Sequence, residues 1–214
     1  MKKIVKKIIE QGKHYAKIGA IVGLALMPLK AQSGSLELSI LEDTKTTDIK
    51  AGGNLGKGFG YFFRSRMTSD NDDNVYAFSI GDLTYKLGNG INAVGEVQRA
   101  PGMGLIPRVG IEGYKQIGPI GIYGITTHSL KGEDNVEAIV SASVKKALSK
   151  DWTAIGKIEG IVDYNTDNFS LNNRNYAISR LRLGAEKDGK EIGFALDVSE
   201  GSKPQVGVYG TVSF

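Results

Sequence analysis

The sequence predicts an all-β fold: a closed up-and-down antiparallel transmembrane β-barrel of about twelve strands, with ten as the alternative count. Three observations lead there. From Ser35 to Phe214 apolar and polar residues alternate with period two, which puts successive side chains on opposite faces of a strand. Several alternating runs reach the ~9–11 residues that a tilted strand needs to cross a bilayer, against ~5–6 for an ordinary globular strand. The links between runs alternate short and long, so the two ends of the meander differ as they do in transmembrane barrels. Glycine fits this frame: 29 of 214 residues is about twice ordinary usage, yet with only 5 prolines the chain is far from a low-complexity composition.

Taken in order, a weaker pair of strands, Leu36 to Leu41 and Asp48 to Gly52, opens the series, bent around Asp43-Thr44-Lys45. Dropping this pair produces the count of ten. Phe59 to Met67, Val75 to Leu87, Ile91 to Arg99, Arg108 to Lys115 and Ile120 to His128 follow. In Val136 to Val144 the residues Val136, Ala138, Val140, Ala142 and Val144 oppose Glu137, Ser141, Ser143 and Lys145. In Trp152 to Tyr164 one face is apolar or glycine throughout, and the other carries Thr153, Lys157, Glu159 and Asp163. Tyr176 to Lys187, Ile192 to Val198 and Val206 to Phe214 repeat the pattern. Short turns fall at Gly88-Asn89-Gly90, Ile117-Gly118-Pro119, Ser149-Lys150-Asp151 and Asp188-Gly189, all with residues that tight turns require. Longer polar links fall at Thr68 to Asn74, Ala100 to Pro107, Leu130 to Asn135, Asn165 to Asn175 and Glu200 to Gln205.

Residues 1–31 read as a signal peptide, ahead of a barrel domain over 32–214. Six lysines and one acid from Met1 to Lys17 precede an apolar run from Ile18 to Leu29, which at about a dozen residues is short of the ~20 a spanning helix needs. Leu29-Lys30-Ala31 supplies a small residue before a cut that leaves Gln32 first. The segment has no Arg, unlike a mitochondrial presequence. Removing it removes seven lysines and one glutamate, so 20 bases and 22 acids remain. The net charge of +4 on the whole chain therefore belongs to the leader. No nucleic-acid partner is expected, because phosphate recognition needs a surplus of bases on one face.

The last stretch, QVGVYGTVSF, puts Val206, Val208, Gly210, Val212 and Phe214 on one face. Together with the leader and the alternation, it resembles the terminal strand of bacterial outer-membrane β-barrel proteins of the porin-like kind. The resemblance implies an outer-membrane location, contact with membrane lipid, and recognition by the barrel assembly machinery through the strand that ends in Phe214. It departs from that family where Val206 or Val208 stands in place of a second outward aromatic.

Sixteen charged residues are assigned inward, eight of each sign: Arg64, Arg66, Lys86, Arg108, Lys145, Lys157, Arg180 and Arg182 against Asp82, Glu96, Glu112, Glu137, Glu159, Asp163, Glu186 and Asp197. Two readings remain open. In one the charges pair across the interior as neutral filler, since buried charges must be paired. In the other, basic and acidic walls line a water-filled pore. The pore-lining candidates are Arg64, Arg66, Arg108, Glu112, Lys157, Glu159, Arg180 and Arg182, with the Arg64/Arg66 and Arg180/Arg182 doublets on opposing walls forming an anion-favouring constriction.

Enzyme chemistry has little support. Apart from His14 in the leader, His128 is the one histidine, and its neighbour Ser129 points to the opposite face. With no cysteine there is no thiol nucleophile or thiolate site, and no cofactor or metal is expected. Asp70-Asn71-Asp72-Asp73-Asn74 alternates oxygen ligands but lacks the glycine and distal glutamate of a calcium loop. Gly56-Lys57-Gly58-Phe59-Gly60 has no following helix to make it a phosphate loop. The expected function is thus a small passive channel or porin for polar solutes. The rivals are a structural or adhesive barrel with a plugged lumen, and a secreted lipocalin-like barrel with apolar residues inward.

Overall fold

A computed structural model describes residues 33–72, 74–100, 104–131, 134–166 and 174–213. The expected leader and Phe214 lie outside the described residues. Twelve strands follow in order: β1 (Ser33–Leu41), β2 (Thr44–Gly56), β3 (Phe59–Asp70), β4 (Val75–Gly88), β5 (Ile91–Ala100), β6 (Gly104–Ile117), β7 (Ile120–Ser129), β8 (Asn135–Ala147), β9 (Thr153–Asn165), β10 (Arg174–Lys187), β11 (Lys190–Ser199) and β12 (Gln205–Ser213). Each pairs antiparallel with its sequence neighbours, and β1 closes on β12 from Ser35↔Ser213 to Leu41↔Gly207. Closure leaves no strand edge unpaired, as a wall in hydrocarbon requires.

The count is twelve, not ten, because the first hairpin is fully built. Its turn is only Glu42-Asp43, and β2 runs for 13 residues instead of the five expected from Asp48 to Gly52. Strand β6 also starts earlier than expected and passes through Pro107, opposite Val97. In an antiparallel ladder the N–H and C=O of one residue face the same neighbour. The carbonyl of Pro107 accepts from the N–H of Leu130 at 2.8 Å, one residue past the end of β7. The missing donor of proline thus falls where the ladder ends and interrupts no strand bond.

Tight turns cluster at one end. Lys57-Gly58, Asn89-Gly90 and Asp188-Gly189 each put two consecutive residues at positive φ: 54° and 84°, 51° and 78°, 51° and 72°. That is the backbone of the two-residue turns whose twist matches the flanking strands. Gly56 to Gly60 is therefore a hairpin. At the opposite end, Asp70 closes its own loop: its Oδ1 accepts from the N–H groups of Asp72 and Asn74 at 3.0 and 2.9 Å. Asp70, Asn71, Asp72 and Asn74 thus lie at an exposed turn between β3 and β4, and no group of three or more metal-binding side chains occurs among the described residues.

The two faces of the wall differ as the alternation demands. Leu36, Leu38 and Ile40 of β1, Leu83 and Leu87 of β4, Ile192 and Phe194 of β11, and Val206, Val208 and Val212 of β12 are exposed on the outside. Asp48, Arg64, Asp82, Glu96, Arg108, Glu137, Asp163, Arg182 and Glu191 are buried inside. This is the reverse of the secreted lipocalin-like alternative, which needs the apolar face within. Such an exterior is stable only where hydrocarbon covers it. Two glycines on the inner face let neighbouring strands approach closely. A Cβ on Gly110 would lie 1.9 Å from the Thr126 carbonyl oxygen, and one on Gly193 would lie 2.1 Å from that of Leu183. Opposite Gly193, Tyr209 lies almost fully buried and donates its hydroxyl proton to Glu191.

Candidate functional site: a lumen with two lobes of opposite charge

Residues two apart on a strand share a face, so each strand sends short ladders of charge into the barrel. Strands β1, β2, β3, β9, β10 and β11 bring Glu37, Asp48, Lys50, Arg64, Arg66, Lys157, Glu159, Arg180, Arg182, Glu191 and Asp197 together. Strands β4 to β8 bring Asp82, Glu96, Arg108, Glu112 and Glu137. The first group has six bases and five acids, whereas the second has one base and four acids.

The basic lobe surrounds a cavity of about 320 Å³ lined by six bases, Lys50, Arg64, Arg66, Lys157, Arg180 and Arg182, against three acids, Glu37, Asp48 and Glu159. Most of these bases already hold a carboxylate. Arg64 grips Asp48 with Nε at 3.0 Å from both oxygens and Nη2 at 2.5 Å from Oδ2, the strong bidentate geometry. Arg180 reaches Glu159 at 2.6 Å, Arg182 reaches Asp197 at 2.5 Å and Glu37 at 3.4 Å, and Lys157 reaches Glu191 at 2.6 Å. One pair crosses the lumen: Arg66 on β3 lies 3.8 Å from Asp197 on β11, four strands away around the closed sheet. Asp197 also lies 3.6 Å from Arg180, so the two arginine doublets meet over a shared carboxylate. The doublets come from β3 and β10, five strands apart by the shorter path.

The acidic lobe surrounds a second cavity of about 380 Å³. Its lining includes Asp82, Glu96, Glu112 and Glu159 with the bases Lys50 and Arg64, beside Tyr123 and Phe62. Lys50, Arg64 and Glu159 line both cavities and mark the border between lobes. Asp82, Glu96 and Arg108 lie on one rung of the sheet, each opposite the next. Arg108 has almost no exposed surface. Its Nε lies 3.3 Å from Glu96 and donates to Thr127 Oγ1 at 2.8 Å; its Nη atoms donate to Asn135 Oδ1 at 2.7 Å and to the Thr127 carbonyl at 2.9 Å. Glu112 accepts from Asn92 at 2.8 Å and from the Tyr123 hydroxyl at 2.9 Å, and Glu137 accepts from the Tyr176 hydroxyl. Asp82 and Glu96 each keep one buried oxygen, Oδ1 and Oε1, with no hydrogen-bond partner among the described residues, and of the two Asp82 also has no base beside it.

The eight pore-lining candidates thus all project inward, but not to equal ends. Arg64, Arg66, Lys157, Glu159, Arg180 and Arg182 line the basic cavity, Glu112 the acidic one, and Arg108 is enclosed in the wall. Glu37, Asp48, Lys50 and Glu191 were not among the sixteen charges assigned inward from sequence. The first three sit on the hairpin that looked weak, although Glu37 between Ser35 and Ser39, and Asp48 with Lys50, already showed the period. Glu191 lies one residue before the strand as read from sequence. Outside the lumen, His128 Nε2 lies 2.5 Å from Asp134 at the loop end, while Ser129 Oγ accepts the Asn135 N–H at 3.0 Å. The two side chains are on opposite faces and engaged with different partners.

No family model matches the sequence, and no curated protein matches it either. Solved structures do. The KdgM porin in complex with disordered oligogalacturonate superposes with a TM-score of 0.50 at 10% identity, over 85% of this chain and 99% of that one. The NanC porin does so with 0.50 at 11% identity, over 85% and 98%. LpxR from Salmonella typhimurium does so with 0.50 at 7% identity, over 86% and 99%. At such identities the likeness is one of fold. The closed twelve-stranded antiparallel barrel, apolar outside and charged within, is the fold of outer-membrane β-barrels that include the KdgM and NanC porins.

Proposed function

We propose that the barrel sits in an outer membrane as a small passive channel for polar solutes. Arg64, Arg66, Lys157, Glu159, Arg180 and Arg182 form its constriction, Glu112 lines the acidic side, and Arg108 anchors the wall behind it. The supporting observation is that six bases and only three acids line the first cavity itself, with Glu191 and Asp197 held behind Lys157 and Arg182, so that the group keeps a surplus of one base. Charge-neutral filler would balance acids and bases locally, whereas a surplus of one sign beside open space raises the local concentration of counter-charged solute. The constriction therefore favours anions. Planar-bilayer recording tests this. Step conductances with a reversal potential on the anion-selective side support it, and a silent or cation-selective bilayer overturns it.

A second reading has one observation in its favour. The Arg66–Asp197 pair crosses the lumen and would close it if it were permanent. A barrel sealed in this way is structural or adhesive, and liposomes carrying it do not swell in sugar solutions. Catalysis is not part of either reading, since His128 and Ser129 engage separate partners on opposite faces. In both readings we infer that residues 1–31 act as the export leader, and an intact-mass measurement of the exported protein is expected to find Gln32 as its first residue. Phe214, following β12, acts as the address for the assembly machinery.

A further inference from the structure

The acidic lobe holds charge that the wall does not neutralise. Asp82 and Glu96 are directly opposite on β4 and β5, and like charges in that position repel. Arg108 answers only one of them: it lies 3.3 Å from Glu96, on the far side of β5 from Asp82. Asp82 Oδ1 is left buried and without a donor. An unpartnered buried carboxylate costs several kcal/mol and is relieved by a proton, by water or by a cation, so a positive group that reaches this position gains by pairing with it. The space for one is present, since Asp82, Glu96 and Glu112 line the same cavity of about 380 Å³. That volume is within the ~300–1,000 Å³ of small-molecule pockets. Phe62, Ile80, Ile125 and Ile139 supply apolar surface in the same lining, which suits an alkyl chain better than a bare hydrated ion.

The border between lobes sets the rest of the ligand. Lys50 and Arg64 line this cavity as well as the basic one, so a molecule in the acidic lobe has cationic side chains at its other end. We propose that the lumen selects zwitterionic solutes, with an ammonium or guanidinium group held by Asp82, Glu96 and Glu112 and a carboxylate or similar anion held by Lys50 and Arg64. This rests on the channel reading for its physiological sense, but the binding itself does not require conduction.

The test is ligand binding to the refolded full chain in detergent micelles, followed by calorimetry or saturation-transfer NMR. The probes are 4-aminobutyrate, butyrate and butylammonium, which share a chain and differ in end groups. With the unmodified protein, 4-aminobutyrate binds at least fivefold more tightly than either single-charge probe. Asp82→Asn weakens 4-aminobutyrate and butylammonium at least fivefold and leaves butyrate within twofold, and Glu112→Gln acts in the same direction. Heat-modifiable migration on gels verifies that each variant is a closed barrel. Equal binding of 4-aminobutyrate and butyrate to the unmodified protein overturns the proposal whether or not the variants fold. Tighter binding of Ca²⁺ alone than of butylammonium also overturns it, by making the lobe a metal site. A silent bilayer with intact zwitterion binding removes the channel and keeps this site; an anion-selective conductance with no such binding does the opposite.

Discussion

Replacing Arg180 and Arg182 together with alanine removes two of the six bases around the first cavity and frees the carboxylates they hold. Glu159 loses a contact at 2.6 Å and Asp197 one at 2.5 Å. The effect on a passing anion follows from Coulomb's law. A unit charge about 4 Å from another in water is worth ~1 kcal/mol, so two are worth ~2 kcal/mol. Screening over 4 Å with a Debye length of ~10 Å at 0.1 M salt leaves about two-thirds of that, ~1.3 kcal/mol, which is close to a tenfold change in local anion concentration. A cation gains by the same factor, so we expect the anion-to-cation permeability ratio to fall at least tenfold. The assay is the reversal potential across a planar bilayer in a KCl gradient, with heat-modifiable migration as the test of barrel formation. A closed, conducting variant whose selectivity changes by less than twofold would refute the constriction. Raising the salt to 1 M, where the Debye length is ~3 Å, should shrink the difference between variant and unmodified protein.

Gly193→Ala places a Cβ 2.1 Å from the Leu183 carbonyl oxygen and 2.6 Å from the Gly184 Cα, both backbone, so β10 and β11 must part. Loss of two ladder hydrogen bonds at ~1 kcal/mol each predicts a destabilisation of about 2 kcal/mol or more, read as a lower urea midpoint in refolding titrations. Arg108→Met leaves Glu96 buried and uncompensated and strands the acceptors on Thr127 and Asn135, a cost of ~3–5 kcal/mol. The double variant with Glu96→Gln should recover most of that loss in the same titration. In the loop after β7, Asp134 is held below the ordinary carboxylate value of 3.8 by contacts from Thr166 and His128. A lowered folded value means the stabilisation is present above 3.8 and is lost as pH falls through the folded value. NMR titration should show its midpoint rising when His128 is replaced by alanine.

Most of the wall was legible because a strand's two faces have different solvents. In ten strands the alternation is strong enough by itself to place Arg64, Asp82, Glu96, Arg108, Glu137 and Arg182 inward, where they are buried. The first hairpin was read as short because Thr44, Lys45, Thr46 and Thr47 carry little apolar signal, although hydrogen bonding from Thr44↔Asp70 onward makes β2 a complete strand. Proline misplaced the start of β6 for a related reason. A ladder's end tolerates a missing donor, but the location of that end depends on the length of the neighbouring strand.

What the sequence determined by itself is thus the class of fold and the face on which each side chain lies, because period-two alternation is a property of consecutive residues. What only the tertiary structure decided is which charges meet. Arg66 and Asp197 are 131 positions apart with three strands of the closed sheet between them, and they face each other because the wall curves back on itself. The division into a basic and an acidic lobe has the same origin. Sixteen inward charges in equal numbers looked balanced along the chain, but closure gathers the bases of β2, β3, β9 and β10 on one side and leaves Asp82 facing Glu96 on the other.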